Sequence, residues 1–216
     1  MDTILARVLT CWRLSEFCNL ALGATAFELK RAEKTLGRKF PGDVADLYRQ
    51  CNGADILGGN LIIDPLDGKT LSLVQSSDFL RKAEWPIPED ALVFGGDGSD
   101  DLFALWLPKD RDERPIVIAV GSNFQPGSFS IVGTSLPRFL RSRTAYYLLV
   151  EECDATAFDA IALPKRFREC DPDKLSNNVY EETFRWSDPT LPDLPLSPYD
   201  AHLTADEVRK FASATG

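Results

Sequence analysis

Apolar positions recur with helical spacing at the start of the chain and as short, strand-like runs further on. Ile4, Leu5, Val8, Leu9, Trp12 and Leu14 fall on one side of a helix, and the predicted helix runs from Ile4 to Leu22. From Thr25 to Gly53 the pattern predicts two short helices joined by a proline-marked corner. Thr25 stands three residues before Glu28, the spacing of a capping box, so the first of them starts there. Phe27, Ala32 and Leu36 give it an apolar face, and Gly37 supplies a left-handed stop. Phe40 enters the core, and Pro41 occupies the first turn of the next helix, where its missing amide hydrogen costs nothing. Val44, Leu47, Tyr48 and Cys51 then repeat at i, i+3, i+4 and i+7 before the helix ends on Asn52-Gly53.

After Gly53 the period changes. Leu57 to Asn60 reads as a turn, Leu61 to Ile63 as a strand, and Asp67-Gly68 as a second turn before a strand from Thr70 to Val74. Ser77 and Asp78 open a short helix that must end before Pro86. Ala91 to Phe94, Leu102 to Leu107, Ile116 to Val120 and Phe129 to Val132 are strand-favouring runs. Their connections are too short for crossover helices, so neighbours pair antiparallel. Ser135 to about Glu152 is a helix whose first turn tolerates Pro137, and Asp154 caps another bearing Phe158, Ile161 and Leu163 up to Pro164. These elements make an α+β architecture, an antiparallel sheet covered by helices. Cys170 to Asp200 is rich in Pro, Asp and Ser and reads as an extended appendage, with Tyr180, Phe184 and Trp186 alternating as in a strand. Thr204 and Glu207 repeat the capping-box spacing ahead of a short terminal helix. The expected organisation is an N-terminal helix over 1–24, a domain over 25–152 and a C-terminal appendage over 153–216.

Several of these residues carry a family pattern. Glu33, Leu36-Gly37, Phe40-Pro41, Leu47-Tyr48 and Asn52-Gly53 resemble the opening motif of the SUKH superfamily, the group that includes the fungal cell-wall-synthesis regulators. Val93-Phe94-Gly95-Gly96-Asp97-Gly98 followed by Asp101 to Leu105 is similar to its strand, glycine turn and strand, and Ser135 to Leu140 to its closing helix. The resemblance spans about Thr25 to Arg143.

Composition narrows the chemistry. The 216 residues are 44% hydrophobic and 26% charged, with Lys plus Arg 24 against Asp plus Glu 33 and a net charge of −9. That balance repels nucleic acid and anionic lipid, and it suits a basic protein partner. Apolar runs are too short to cross a bilayer, and Met1-Asp2-Thr3 lacks a basic leader, so the expected compartment is the cytoplasm. Cys11, Cys18, Cys51, Cys153 and Cys170 include no Cys-x-x-Cys pair and read as reduced thiols.

A single histidine, His202, leaves no base for a nucleophilic triad outside the tail and excludes two-histidine metal sites. Asp97, Asp100 and Asp101 beside a glycine turn have the composition of a hard-cation site but not the spacing of a calcium loop; a solvated hairpin tip accounts for them. Glu33 and Asp43 read as surface charge and helix-dipole compensation rather than as an acid–base pair. Pro192, Pro195 and Pro198 have Pro-x-x-Pro spacing without a basic flank, so packing on their own domain is expected. The expectation is therefore a protein-binding module without catalytic residues, cofactor or metal. What the resemblance implies beyond this is an immunity protein that neutralises a cognate polymorphic toxin, often a nuclease. The alternative it implies is a regulatory scaffold like the fungal regulators, which the long appendage favours; a metal-dependent enzyme has the least support.

Overall fold

The computed structural model describes residues 1–68, 72–83, 85, 87–98, 101–106, 115–121, 128–150, 155–168, 178–191, 203–204, 206–208 and 210–211. Helix α1 (Thr3–Leu14) starts on Asp2, whose carboxylate accepts the amides of Ile4 and Leu5 at 2.7 and 3.3 Å. It buries Leu5, Val8, Leu9, Cys11 and Trp12. The helix does not continue to Leu22 as its sequence suggests. At Ser15 the side-chain oxygen accepts the Phe17 amide, a local bond that competes with the next helical turn, and Cys18–Leu20 becomes strand β1.

Helix α2 (Ala26–Leu36) opens with the expected capping box: the Glu28 amide donates to Thr25 Oγ1 at 3.2 Å and the Thr25 amide to Glu28 Oε2 at 2.7 Å. It closes on Gly37 at φ 68°. Its buried residues are Leu29 and Ala32, with Leu36 partly covered, whereas Phe27 is 73% exposed. Two positions along a helix is a turn of about 200°, so Phe27 cannot share the face of Leu29. Helix α3 (Gly42–Gln50) takes Pro41 as its N-cap, one position earlier than expected, and its stripe of Val44, Leu47, Tyr48 and Cys51 is buried as read.

Strands β2 (Ala54–Ile56) and β3 (Leu61–Ile63) form the hairpin around the Leu57 to Asn60 turn. The strand expected at Thr70 to Val74 is not formed over its described part. Leu73 and Val74 instead begin helix α4 (Leu73–Lys82), four residues ahead of the expected Ser77 start. Its buried face is Leu73, Ser76, Ser77 and Leu80, which has helical spacing only once two serines are counted as interior. Hydrophobicity alone does not show it.

Strands β4 (Ala91–Gly96), β5 (Asp101–Trp106), β6 (Ile116–Gly121) and β7 (Ser128–Gly133) confirm the four strand-favouring runs, and β8 (Leu203–Thr204) adds a final one. The sheet runs β1 to β8 in strict chain order with every neighbour antiparallel. Because β3 pairs with β4 only through Ile62–Gly96 and Ile63–Gly95, the first half of β4 is left without a partner strand on that side. Helix α4 fills the gap with side chains. Ser77 Oγ accepts the Val93 amide at 2.7 Å, while Arg81 donates to the carbonyls of Pro88, Glu89 and Ala91 at 2.8, 3.1 and 2.6 Å. An exposed sheet edge is thereby satisfied without another strand.

Helix α5 (Leu136–Val150) lies on the sheet through Phe139, whose ring stands 5.9 Å from Phe94 and 4.9 Å from Phe103. Helix α1 docks on α5, with Trp12 Nε1 donating to Thr144 Oγ1 at 2.9 Å inside the core. Helices α6 (Ala155–Ala160) and α7 (Lys165–Arg168) come next, and this stretch buries Phe158, Ile161, Leu163 and Phe167.

The Tyr180–Trp186 stretch is helix α8 (Asn178–Ser187), not a strand. Alternation and helical spacing overlap over so few residues, and the helix places Glu181 and Arg185 one turn apart in an ion pair at 2.7 Å. It buries Phe184 and packs on α5. Immediately after it, Asp188 is 1% exposed and accepts the Thr134 amide at 2.6 Å, Thr134 Oγ1, Arg138 at 3.0 Å and Thr190 Oγ1 at 2.9 Å. Arg141 meets the end of α8, donating to the Ser187 carbonyl at 2.8 Å with its guanidinium 4.6 Å from the Trp186 ring. The Thr204–Glu207 capping box is present. Asp154, Cys153, Cys170, Pro192, Pro195, Pro198 and His202 lie outside the described residues.

Two substitutions test this architecture. A β-carbon at Gly95 would collide with the Ile62 carbonyl oxygen, so Gly95→Ala is expected to lower the unfolding free energy in urea by about 3 kcal/mol. Asp188→Ala removes the acceptor of the Thr134 amide and the carboxylate that pairs with Arg138 and is expected to cost about 2 kcal/mol, with Asp188→Asn recovering part of it through its amide oxygen.

Candidate functional site

The residues singled out as a motif meet at one place, where the α2–α3 corner touches the end of β3. Glu33 is not simple surface charge: its Oε1 accepts the Phe40 amide at 2.9 Å and closes the loop between the two helices. Phe40 is buried and stacks on Tyr48 with ring centroids 6.3 Å apart. Tyr48 is buried and its hydroxyl donates to the Asp64 carbonyl at 3.0 Å, while the Asp64 amide donates to the Phe94 carbonyl at 2.8 Å. Asn52 Oδ1 accepts the Leu66 amide at 2.8 Å, and the Asn52 backbone amide donates to the Leu22 carbonyl at 3.1 Å. Gly53 takes φ 109° and gives its carbonyl to the Ala21 amide at 3.0 Å. Leu36 and Leu47 are packing residues, Gly37 and Pro41 are helix ends.

The second part of the motif lies along β3, from that junction to the β2–β3 turn. Gly95 sits where β3 passes, Phe94 packs on α5, and Gly98, at φ 73°, faces the Gly59 carbonyl of the β2–β3 turn. Asp97 is half-buried in this turn. Asp101 opens β5, and its carboxylate, like Asp100, lies outside the described residues. No group of three or more His, Cys, Asp or Glu that could hold a metal ion occurs among the described residues.

One charged group at the junction escapes the sequence pattern. Asp64, mostly buried, accepts Ser76 Oγ at 3.2 Å, and Ser76 Oγ in turn accepts the Ser72 amide at 3.1 Å. Burial holds its carboxyl above the ordinary value, with the Ser76 bond pulling the other way. Nearby, burial pushes the Cys51 thiol up to about 12 and the Tyr48 phenol well above its usual range, so neither ionises near neutrality. A buried carboxylate between two helices carries no sequence signature beyond being one more Asp.

Beside this junction, helices α2 and α4 line a groove. It is open, with a volume of about 440 Å3, and Ala32, Val74 and Phe79 are among the residues that line it. Arg31, Asp67, Asp78 and Lys82 stand around it. Arg31 pairs with Asp67 at 2.9 Å and Asp78 with Arg81 at 3.1 Å.

Residues 23–142, more than half of the chain, match the model of the SMI1/KNR4 family, SUKH-1. The chain belongs to that family. The SUKH-1 match begins at Gly23, where a β-carbon would collide with the Arg49 carbonyl of α3, and ends inside α5. Every motif residue and both walls of the groove lie within it, whereas α1 and α6 to α8 lie outside. No curated protein is recognisably similar to the chain. Among the described residues no helix is long and apolar enough to cross a membrane.

The junction makes a pH prediction. Asp64 has a folded pKa above its unfolded one, so the unfolded state releases its proton first and this residue's contribution to stability falls as pH rises from the ordinary value of 3.8. Asp64→Asn removes that loss while its amide oxygen still accepts from Ser76. Relative to wild type, the variant is expected to gain stability between about pH 4 and pH 7, measured by urea midpoints across that range.

Proposed function

We propose that the chain is a non-catalytic protein-binding module acting in the cytoplasm as an immunity protein, which neutralises a cognate polymorphic toxin. SUKH-1 membership carries this reading. The motif supports it in a particular way: Glu33, Tyr48, Asn52, Gly53 and Gly95 are engaged with backbone, leaving recognition to other surfaces of the chain. A net charge of −9 suits a partner with a basic cleft, such as a nuclease, because opposed fields speed encounter and select partners. A regulatory scaffold is the second role open to a SUKH-1 protein. It calls for a long extended tail, and over Asn178–Ser187 that tail is a docked helix.

Co-expression with candidate toxin domains, beginning with any encoded beside it, is the decisive test. The two chains are expected to co-elute at low salt, the toxin's activity to be lost in the complex, and association to slow at least about tenfold between low and high salt. Separate elution at low salt with the toxin fully active would overturn the proposal.

A further inference from the structure

The sheet is covered on both faces along most of its width and open on one face near the β1 edge. In β4 to β7 every residue whose burial is described is buried, apart from half-buried Leu102. In β1 to β3 the positions alternate. Cys18, Ile56 and Leu61 pack on the core, as do Leu20, Ala54 and Ile63, whereas the register row between them, Asn19, Asp55 and Ile62, is exposed. Ile62 is 38% exposed, and Phe17, two positions ahead of Asn19, is 47% exposed. Asp55 thus has one apolar neighbour directly across in register and another on the diagonal, on a face that no described element covers.

Topology gives this face its sign. Because the strands follow one another antiparallel in chain order, the start of β1, the β2–β3 turn and the β4–β5 turn meet at one end of the sheet. The Gly58 amide donates to the Phe17 carbonyl at 3.3 Å, and Gly98 lies against the Gly59 carbonyl. Residues 14–29, 50–68 and 83–108, which include all of β1 to β5 and these turns, contain no Lys or Arg. The cations between β1 and β5 belong instead to the connections that hold α2, α3 and α4, which leave from the opposite end. What this end does carry is Glu16, Asp55 and Asp97. Neither Glu16 nor Asp55 has an ion pair among the described residues. The nearest cation along the chain, Arg13, donates to Gln50 Oε1 at 2.8 Å, at the end of α3. Carboxylates with no cation among them, beside uncovered apolar side chains, attract a basic surface and repel an acidic one.

We infer that the open face of β1 to β3 is where the partner's basic surface docks, its apolar side chains covering Phe17 and Ile62 and its lysines or arginines pairing with Glu16 and Asp55. This rests on the protein-binding role proposed above and gives that role a location.

The test titrates the full-length, isotope-labelled chain with a synthetic extended peptide of alternating Lys and Leu, against the same peptide with Glu replacing Lys. The Lys peptide is expected to shift the amides of Phe17, Asn19, Asp55, Gly58 and Ile62, and to bind at least about tenfold more tightly than the Glu peptide. Glu16→Lys combined with Ile62→Thr is expected to weaken it about tenfold, whereas Glu182→Lys, the same change of charge on the exposed side of α8, weakens it less than about twofold. Asp55 is left in place because its carboxylate accepts the Gly59 amide at 2.7 Å. All three substituted side chains are exposed, so unchanged circular dichroism checks that the fold is kept. No shifts, shifts centred on other surfaces, or equal losses from the double variant and from Glu182→Lys would overturn the inference. The toxin complex separates the two proposals: a wild-type complex undiminished by the double variant removes the docking face and leaves the immunity role standing, whereas no wild-type complex removes the role while the peptide still decides the face.

Discussion

One buried residue bonds a helix and a strand of this protein at the same time. The Asp64 carbonyl accepts the buried Tyr48 hydroxyl of α3, and the Asp64 amide donates to Phe94 in β4. Buried peptide groups must be bonded somewhere, and here one residue's pair is divided between a helix and a strand. The next stretch of chain depends on it. Two residues on, Asn52 fixes the Leu66 amide; the Pro65 carbonyl receives the Leu73 amide that begins α4; and α4, so placed, brings Ser77 and Arg81 to the open half of β4. A motif tyrosine is thus linked, through a run of hydrogen bonds, to the cover on a sheet edge far along the sequence.

How much of this is legible in the sequence depends on what kind of signal each element carries. The α2–α3 corner can be read residue by residue because Thr25, Glu28 and Gly37 are specified by local backbone needs, and the four β4–β7 strands because β-branched and aromatic runs alternate with turn residues. Elements defined by tertiary bonds cannot. Strand β1 is a strand through its pairing with β2, and α4 is a helix whose interior face includes Ser76 and Ser77 because Val93 and Asp64 need hydroxyls there. Glu33 has the sequence of a solvated charge, since its acceptor role depends on where Phe40's amide arrives, seven residues later. The groove is hidden for the same reason: Phe27 has the spacing of a core residue, and Phe79 belongs to a helix whose start is set by tertiary bonds.

The family motif and the surface proposed for recognition occupy different layers. Much of the motif is inward: β-carbons at Gly95 and Gly98 would strike carbonyls, and Glu33, Tyr48 and Asn52 bond main chain. The excess negative charge is outward. Such a division lets one scaffold carry many surfaces, since changing an exposed residue leaves the junction at Asp64 untouched. It also explains why residue inventories of the motif say little about chemistry. Cys51, with its thiol held near 12 by burial, is a packing atom rather than a nucleophile.

The order of the sheet has a bearing on how the chain is made. Every strand pairs with its immediate predecessor, so β1 to β7 can zip up as the polypeptide leaves the ribosome, without waiting for distant sequence. Asp188 breaks that rule. The groups that donate to it, Thr134 just before α5 and Arg138 in its first turn, emerge some fifty residues earlier. During synthesis the start of α5 is therefore exposed, its amide without this acceptor, until α8 has been translated, and a late part of the chain is the one that seals a helix made well before it.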